Sequence, residues 1–116
     1  MSTTLYGIPN CDTVKRARMW LDARGVAYEF HDYKKSGVPA ANLDRWMKDV
    51  GWEKLLNRGG TTFKKLPPEV KETVDARAAR KLMLDQPSMI KRPIVEHAGG
   101  PLVGFAPADW QRTLVT

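Results

Sequence analysis

The chain has 116 residues, 42% hydrophobic and 28% charged, the size and mixture of one globular domain that folds without covalent staples. One cysteine, Cys11, excludes an internal disulfide, and with only His31 and His97 beside it the sequence argues against a Cys/His zinc site. Nineteen Lys and Arg against thirteen Asp and Glu give a net charge of +6. That balance suits anionic partners, but no basic run exceeds two residues and no nucleic-acid-binding signature is present, so nucleic acid is not the expected partner.

Thr4-Leu5-Tyr6 is expected to form a short strand and Gly7-Ile8-Pro9-Asn10 a turn. Val14, Ala17 and Leu21 then recur at helical spacing, which predicts a helix over Asp12–Arg24, with Asn10, Asp12 or Thr13 as its N-cap and Gly25 just past its end. Alternation of Val26, Tyr28 and Phe30 predicts a second strand over Val26–Tyr33. After a turn at Ser36-Gly37, Pro39 suits the first position of a helix carrying the stripe Leu43, Trp46, Met47 and Val50, ended by Gly51. Two or three short helices are expected between Thr61 and Gln86, separated by Pro67-Pro68, the clearest over Val74–Leu84. A strand at Ile94-Val95-Glu96, a turn at Gly99-Gly100, a partner strand at Pro101–Val103 and a helix over Asp109–Leu114, opened by Pro107, complete the chain. The order is β-α-β, a helical block, then β-β-α, and with no linker or repeat it predicts a single domain.

No secretory pattern opens the sequence and no run of ~18 apolar residues is present. A lone free cysteine suits a reducing cytoplasm. The expectation is a cytoplasmic protein with no membrane partner.

Cys11 carries the chemical interest. It stands where a turn meets a helix start, and there unpaired backbone N–H groups and the helix dipole favour thiolate over thiol. Its polar neighbours Asn10, Asp12 and Thr13 argue against an inert buried sulfur. Residue 14 is valine, so no Cys-x-x-Cys pair exists. A single thiolate works instead through a mixed disulfide that an external thiol resolves, and glutathione is the cytoplasmic candidate. Arg92-Pro93 is a second feature, since a proline just before a strand takes either peptide isomer. Arg58, ahead of Gly59-Gly60, offers a guanidinium and a loop backbone to an anion, or else is a solvated loop arginine.

Taken together, Tyr6-Gly7-Ile8-Pro9-Asn10-Cys11-Asp12-Thr13, Asn57-Arg58, Lys91-Arg92-Pro93-Ile94-Val95 and Leu102-Val103-Gly104-Phe105 resemble the arsenate-reductase-like (ArsC/Spx) family of thioredoxin-fold proteins, and within it the YffB branch, described as glutathione-dependent thiol reductases. The resemblance runs from about Thr4 to Trp110. It implies an α/β thioredoxin-like fold, a mixed four-stranded sheet with a helical insertion near 38–89 between strands 2 and 3. It implies that Cys11 is the nucleophile and that Arg92 lies near it to stabilise the thiolate or a bound anion. Arg58 matches the family's middle arginine, and the bond before Pro93 is expected to be cis by analogy with thioredoxin folds. Asn10 and Pro93 join Arg58 as expected contacts to substrate or glutathione, with no metal and no bound cofactor.

One departure bears on the substrate. Arsenate reductases of this type carry a third anion-binding arginine after the final hairpin, and Gly99–Phe105 contains none. Losing one charge-assisted partner costs about 1.5–3 kcal/mol of oxyanion binding. Spx-type regulators usually carry a Cys-x-x-Cys switch, which a lone Cys11 cannot form. The leading expectation is therefore a thiol reductase that uses glutathione or another small thiol or disulfide, with glutaredoxin as a further partner. Arsenate reduction proper and a non-catalytic, RNA-polymerase-binding role of the Spx kind stand as alternatives.

Overall fold

A computed structural model describes residues 3–115. The chain divides into two compact units, Met1–Lys35 with Arg92–Thr116, and Ser36–Lys91.

The first unit is built on four strands, β1 (Thr4–Gly7), β2 (Glu29–Asp32), β3 (Ile94–His97) and β4 (Gly100–Val103), in the order β2-β1-β3-β4. β1 runs parallel to β2 and antiparallel to β3, and β3 and β4 form a hairpin. Tyr6 stands opposite His31 on one side and Ile94 on the other. Alternation along the strands sends Leu5 and Val95 to one face of the sheet. There they meet Val14, Ala17 and Leu21 of α1 (Asp12–Ala23) and Trp110 of α8 (Pro107–Leu114) in a fully buried cluster. Trp20, Phe105 and Trp110 add edge-to-face contacts, with centroids 4.9–6.2 Å apart.

Ser36–Lys91 is helical. α2 (Tyr33–Ser36) leads into it, followed by α3 (Ala40–Val50), α4 (Trp52–Leu55), α5 (Thr61–Lys64), α6 (Pro68–Glu72), α7 (Ala76–Asp85) and a 3-10 turn at Pro87–Met89. Leu43 and Trp46 of α3, Leu55 and Leu56, Phe63, Ala79 and Met83 of α7, Met89 and Ile90 are buried. Leu56 bridges Ile90, and the Lys91 N–H donates to the Leu55 carbonyl at 2.8 Å, so the end of this stretch is tied back to its middle.

The α/β architecture with a mixed four-stranded sheet is the one expected from the sequence. Several boundaries differ for physical reasons. Val26–Tyr28 are not strand, because the Val26 N–H turns back to the Leu21 carbonyl (3.1 Å) while Gly25, at φ +68°, closes α1. Tyr33 leaves the sheet because β1 has only four residues for β2 to pair with. Pro39 precedes α3 as its N-cap, its carbonyl accepting from the Leu43 N–H. Of the α3 stripe only Leu43 and Trp46 are fully buried, with Met47 and Val50 partly so. α7 begins at Ala76, where the Asp75 carboxylate accepts from the Ala78 N–H at 2.9 Å. The turns α2 and α4 have no counterpart in the periodicity reading. No helix among the described residues is long and apolar enough to cross a membrane.

Candidate functional site

β1 and β2 finish, and β3 begins, at one end of the sheet. The register therefore collects there the segment after Gly7, the segment after Asp32 and Arg92-Pro93, while Gly104 follows β4 at the same end. The Gly104 N–H donates to the Pro93 carbonyl at 2.8 Å.

Cys11 belongs to the first of these segments. Its backbone is extended (φ −88°, ψ 126°) and it is itself the N-cap of α1, in place of the expected Asn10, Asp12 or Thr13. Its N–H donates to the Ile8 carbonyl (3.2 Å) and its carbonyl accepts the first helical bond, from Lys15 (2.9 Å). The side chain makes no capping hydrogen bond. A hydroxyl or carboxylate at this position would bond back to the first-turn amides; the thiol leaves them to an incoming anion. Cys11 is a free thiol, partly exposed and packed on its inner side against the sheet cluster.

Gly7 is why α1 starts this close to the strand. It is not the first residue of a turn, as read from the sequence, but the buried last residue of β1. A Cβ placed on it would come within 2.9 Å of Val14 Cγ2.

Arg92 and Pro93 lead into β3, with Arg92 partly buried and Pro93 buried. The peptide between them is cis, the isomer expected from the resemblance. Asn10 is exposed, and its Oδ1 accepts from Lys34 Nζ at 3.4 Å. Cys11, Asn10, Arg92 and Pro93 thus gather at one sheet end within the first unit. Arg58 lies in the second unit, exposed, its guanidinium 5.5 Å from the Trp52 ring centroid. Among the described residues no cluster of three or more His, Cys, Asp or Glu is arranged to hold a metal ion.

Two residues here escaped sequence reasoning. Lys34 reaches Asn10 from the end of β2. Tyr33, beside it, is 2% exposed, with its ring 6.3 Å from Tyr6 and 5.9 Å from His31. Tyr6 in turn donates its hydroxyl to Glu96 Oε2 at 3.1 Å. The Tyr33 hydroxyl is buried with no hydrogen-bond partner. Burial pushes its proton affinity far up, and negative charge at Tyr6 and Glu96 adds to this against the opposing effect of Arg92. Nothing in the pair Tyr33-Lys34 marks it in the sequence, because what the two side chains meet is set by the register of β1 with β2.

A model of the ArsC family matches residues 6–113. Among solved structures the chain is similar to the YffB protein, at 51% identity over 98% of this chain and 100% of that one, with a TM-score of 0.94. It is also similar to an arsenate reductase (ArsC) related protein from Brucella melitensis, at 57% identity over 100% and 97% of the two chains, with a TM-score of 0.80. A global transcriptional regulator Spx from Streptococcus agalactiae is 28% identical over 88% of this chain and 75% of its own.

Proposed function

The chain belongs to the ArsC family, and from that premise we propose that it is a glutathione-dependent thiol reductase with Cys11 as its nucleophile. The observation that carries this reading is one placement. The only cysteine of the sequence caps a helix, partly exposed, at the sheet end where Arg92-Pro93 enters β3. A helix N-terminus behind the sulfur is a setting in which nucleophilic cysteines are found in general.

The chemistry is two exchanges. The Cys11 thiolate attacks one sulfur of a disulfide. A new S–S bond forms to Cys11, the old one breaks, and the leaving thiolate departs with the bonding pair and takes a proton from water. The thiolate of glutathione then attacks the sulfur joined to Cys11, forming a glutathione disulfide and releasing the Cys11 thiolate. No second cysteine is required, which fits a chain that has none. In this reading Arg92 faces the thiolate or an anionic substituent. Asn10 and the backbone beside Pro93 meet the peptide part of glutathione, as strand-edge recognition does. Arg58 as a carboxylate partner rests on the family resemblance alone, and glutaredoxin is an alternative source of the resolving thiol. Arsenate is the poorer substrate, because Gly99–Phe105 supplies no third arginine.

The test is intact mass after incubation with oxidised glutathione, then after addition of reduced glutathione. One adduct on Cys11, formed near neutral pH and removed by the thiol, is the expected result. Absence of an adduct on the folded protein, with normal labelling after unfolding, overturns the proposal. Likeness to a transcriptional regulator favours a second reading, a partner-binding role. Its signature is capture of RNA polymerase, the partner implied by the resemblance, that survives Cys11→Ala.

A further inference from the structure

The last residues of β2 and the turn that follows place a cation against Asn10, the residue that precedes the nucleophile. Asp32 ends the strand, and its Oδ1 accepts from the Lys34 main-chain N–H at 2.8 Å, an Asx-type turn. Tyr33 is buried against Tyr6 and His31. With one neighbour acting as cap and the other anchored in the interior, the backbone of Lys34 is held and its side chain is directed outward. Its ammonium then lies 3.4 Å from Oδ1 of Asn10, the residue immediately before Cys11.

That ammonium has no ion-pair partner among the described residues. Among the described residues its one acceptor is a neutral amide oxygen, and no carboxylate pairs with it. The Asp32 carboxylate keeps its charge but accepts from the main chain through Oδ1 rather than from the ammonium, and Asp12 lies exposed in the first turn of α1. An arriving carboxylate would replace a neutral acceptor with a charged one, and hydrogen bonds between charged partners are about twice as strong as neutral ones.

We propose that Lys34 is a specificity-determining residue that selects disulfides carrying a carboxylate close to the sulfur over neutral or cationic disulfides. The inference rests on the reading of Cys11 as nucleophile and adds to it the side of the sulfur from which the anionic substituent is held. The bond exchange is unchanged: S–S to Cys11 forms, the substrate S–S breaks, and the leaving thiolate takes a proton from water.

The experiment measures the rate of adduct formation on Cys11 by intact mass for three disulfides: oxidised glutathione, bis(2-hydroxyethyl) disulfide and cystamine. Wild type, Lys34→Gln and Lys34→Arg are compared. Lys34→Gln is expected to slow the reaction with oxidised glutathione about five- to tenfold, to leave the neutral disulfide within about twofold, and to speed the reaction with cystamine; Lys34→Arg restores most of the rate with oxidised glutathione. Equal slowing with all three disulfides, or no change with any, overturns the role of Lys34 while leaving Cys11 as nucleophile. If wild type forms no adduct with any disulfide, the parent reading falls, and the Lys34 role falls with it.

Discussion

A cysteine that caps a helix without bonding to it differs from serine at the same place in one respect that matters: serine satisfies the first-turn amides itself. Cys11→Ser is therefore expected to abolish the adduct with oxidised glutathione while changing folding stability by less than about 1 kcal/mol. Intact mass and thermal unfolding, run side by side, check both halves. Tyr33 tests a different property. Its buried hydroxyl has no partner, so Tyr33→Phe removes an unmet desolvation cost of about 1–3 kcal/mol and is expected to stabilise the protein or leave it unchanged. A loss of stability would mean that the hydroxyl is bonded in solution. The same residue sets a pH dependence. The folded chain holds the Tyr33 proton well above the ordinary tyrosine range, so the unfolded chain releases it first. Its share of stability is present below about pH 10 and is lost as pH rises beyond that. Wild type should thus lose thermal stability above pH 10 more steeply than Tyr33→Phe, and superimposable curves would refute this.

Between elements, the tightest constraint at the site is the approach of β1 to α1. Gly7→Ala would press a methyl group against Val14, which is fully buried, and is expected to cost about 1–3 kcal/mol through overpacking. Adding Val14→Ala makes room, so the double variant should be less destabilised than the sum of the singles, and strict additivity in denaturant titrations would contradict the contact. Gly7 also shows where sequence reading stops. Its residue type is equally suited to a turn and to a close approach, and only the packing of α1 decides. The element order, the stripe of α1, the hairpin and the cap position of Cys11 to within one residue were legible, because each is written in local spacing and in Gly, Pro and Asn punctuation. The turns α2 and α4 were not legible, since four residues are too few for a period. Lys34 and Tyr33 were hidden for another reason. Their partners Asn10 and Tyr6 come from pairing β1 with β2, a non-local fact that spacing along the chain does not carry.

At the scale of the whole molecule, a net charge of +6 raises the concentration of anions near the surface, and salt screens that attraction over about 10 Å at 0.1 M. The reaction of Cys11 with oxidised glutathione is accordingly expected to slow severalfold between low salt and 0.5 M, with no comparable change for a neutral disulfide. Equal salt dependence of the two would remove electrostatic steering from the account. The division of the chain has a consequence of another kind. It passes from its first unit to its second after Lys35 and returns at Arg92, so both crossings adjoin a cation at the sheet end, Lys34 at one and Arg92 at the other. Replacing the block 36–91 would give Arg92 a new neighbour on its N-terminal side and leave Lys34 between Tyr33 and Lys35, while the strand, glycine and helix that present the sulfur stay untouched.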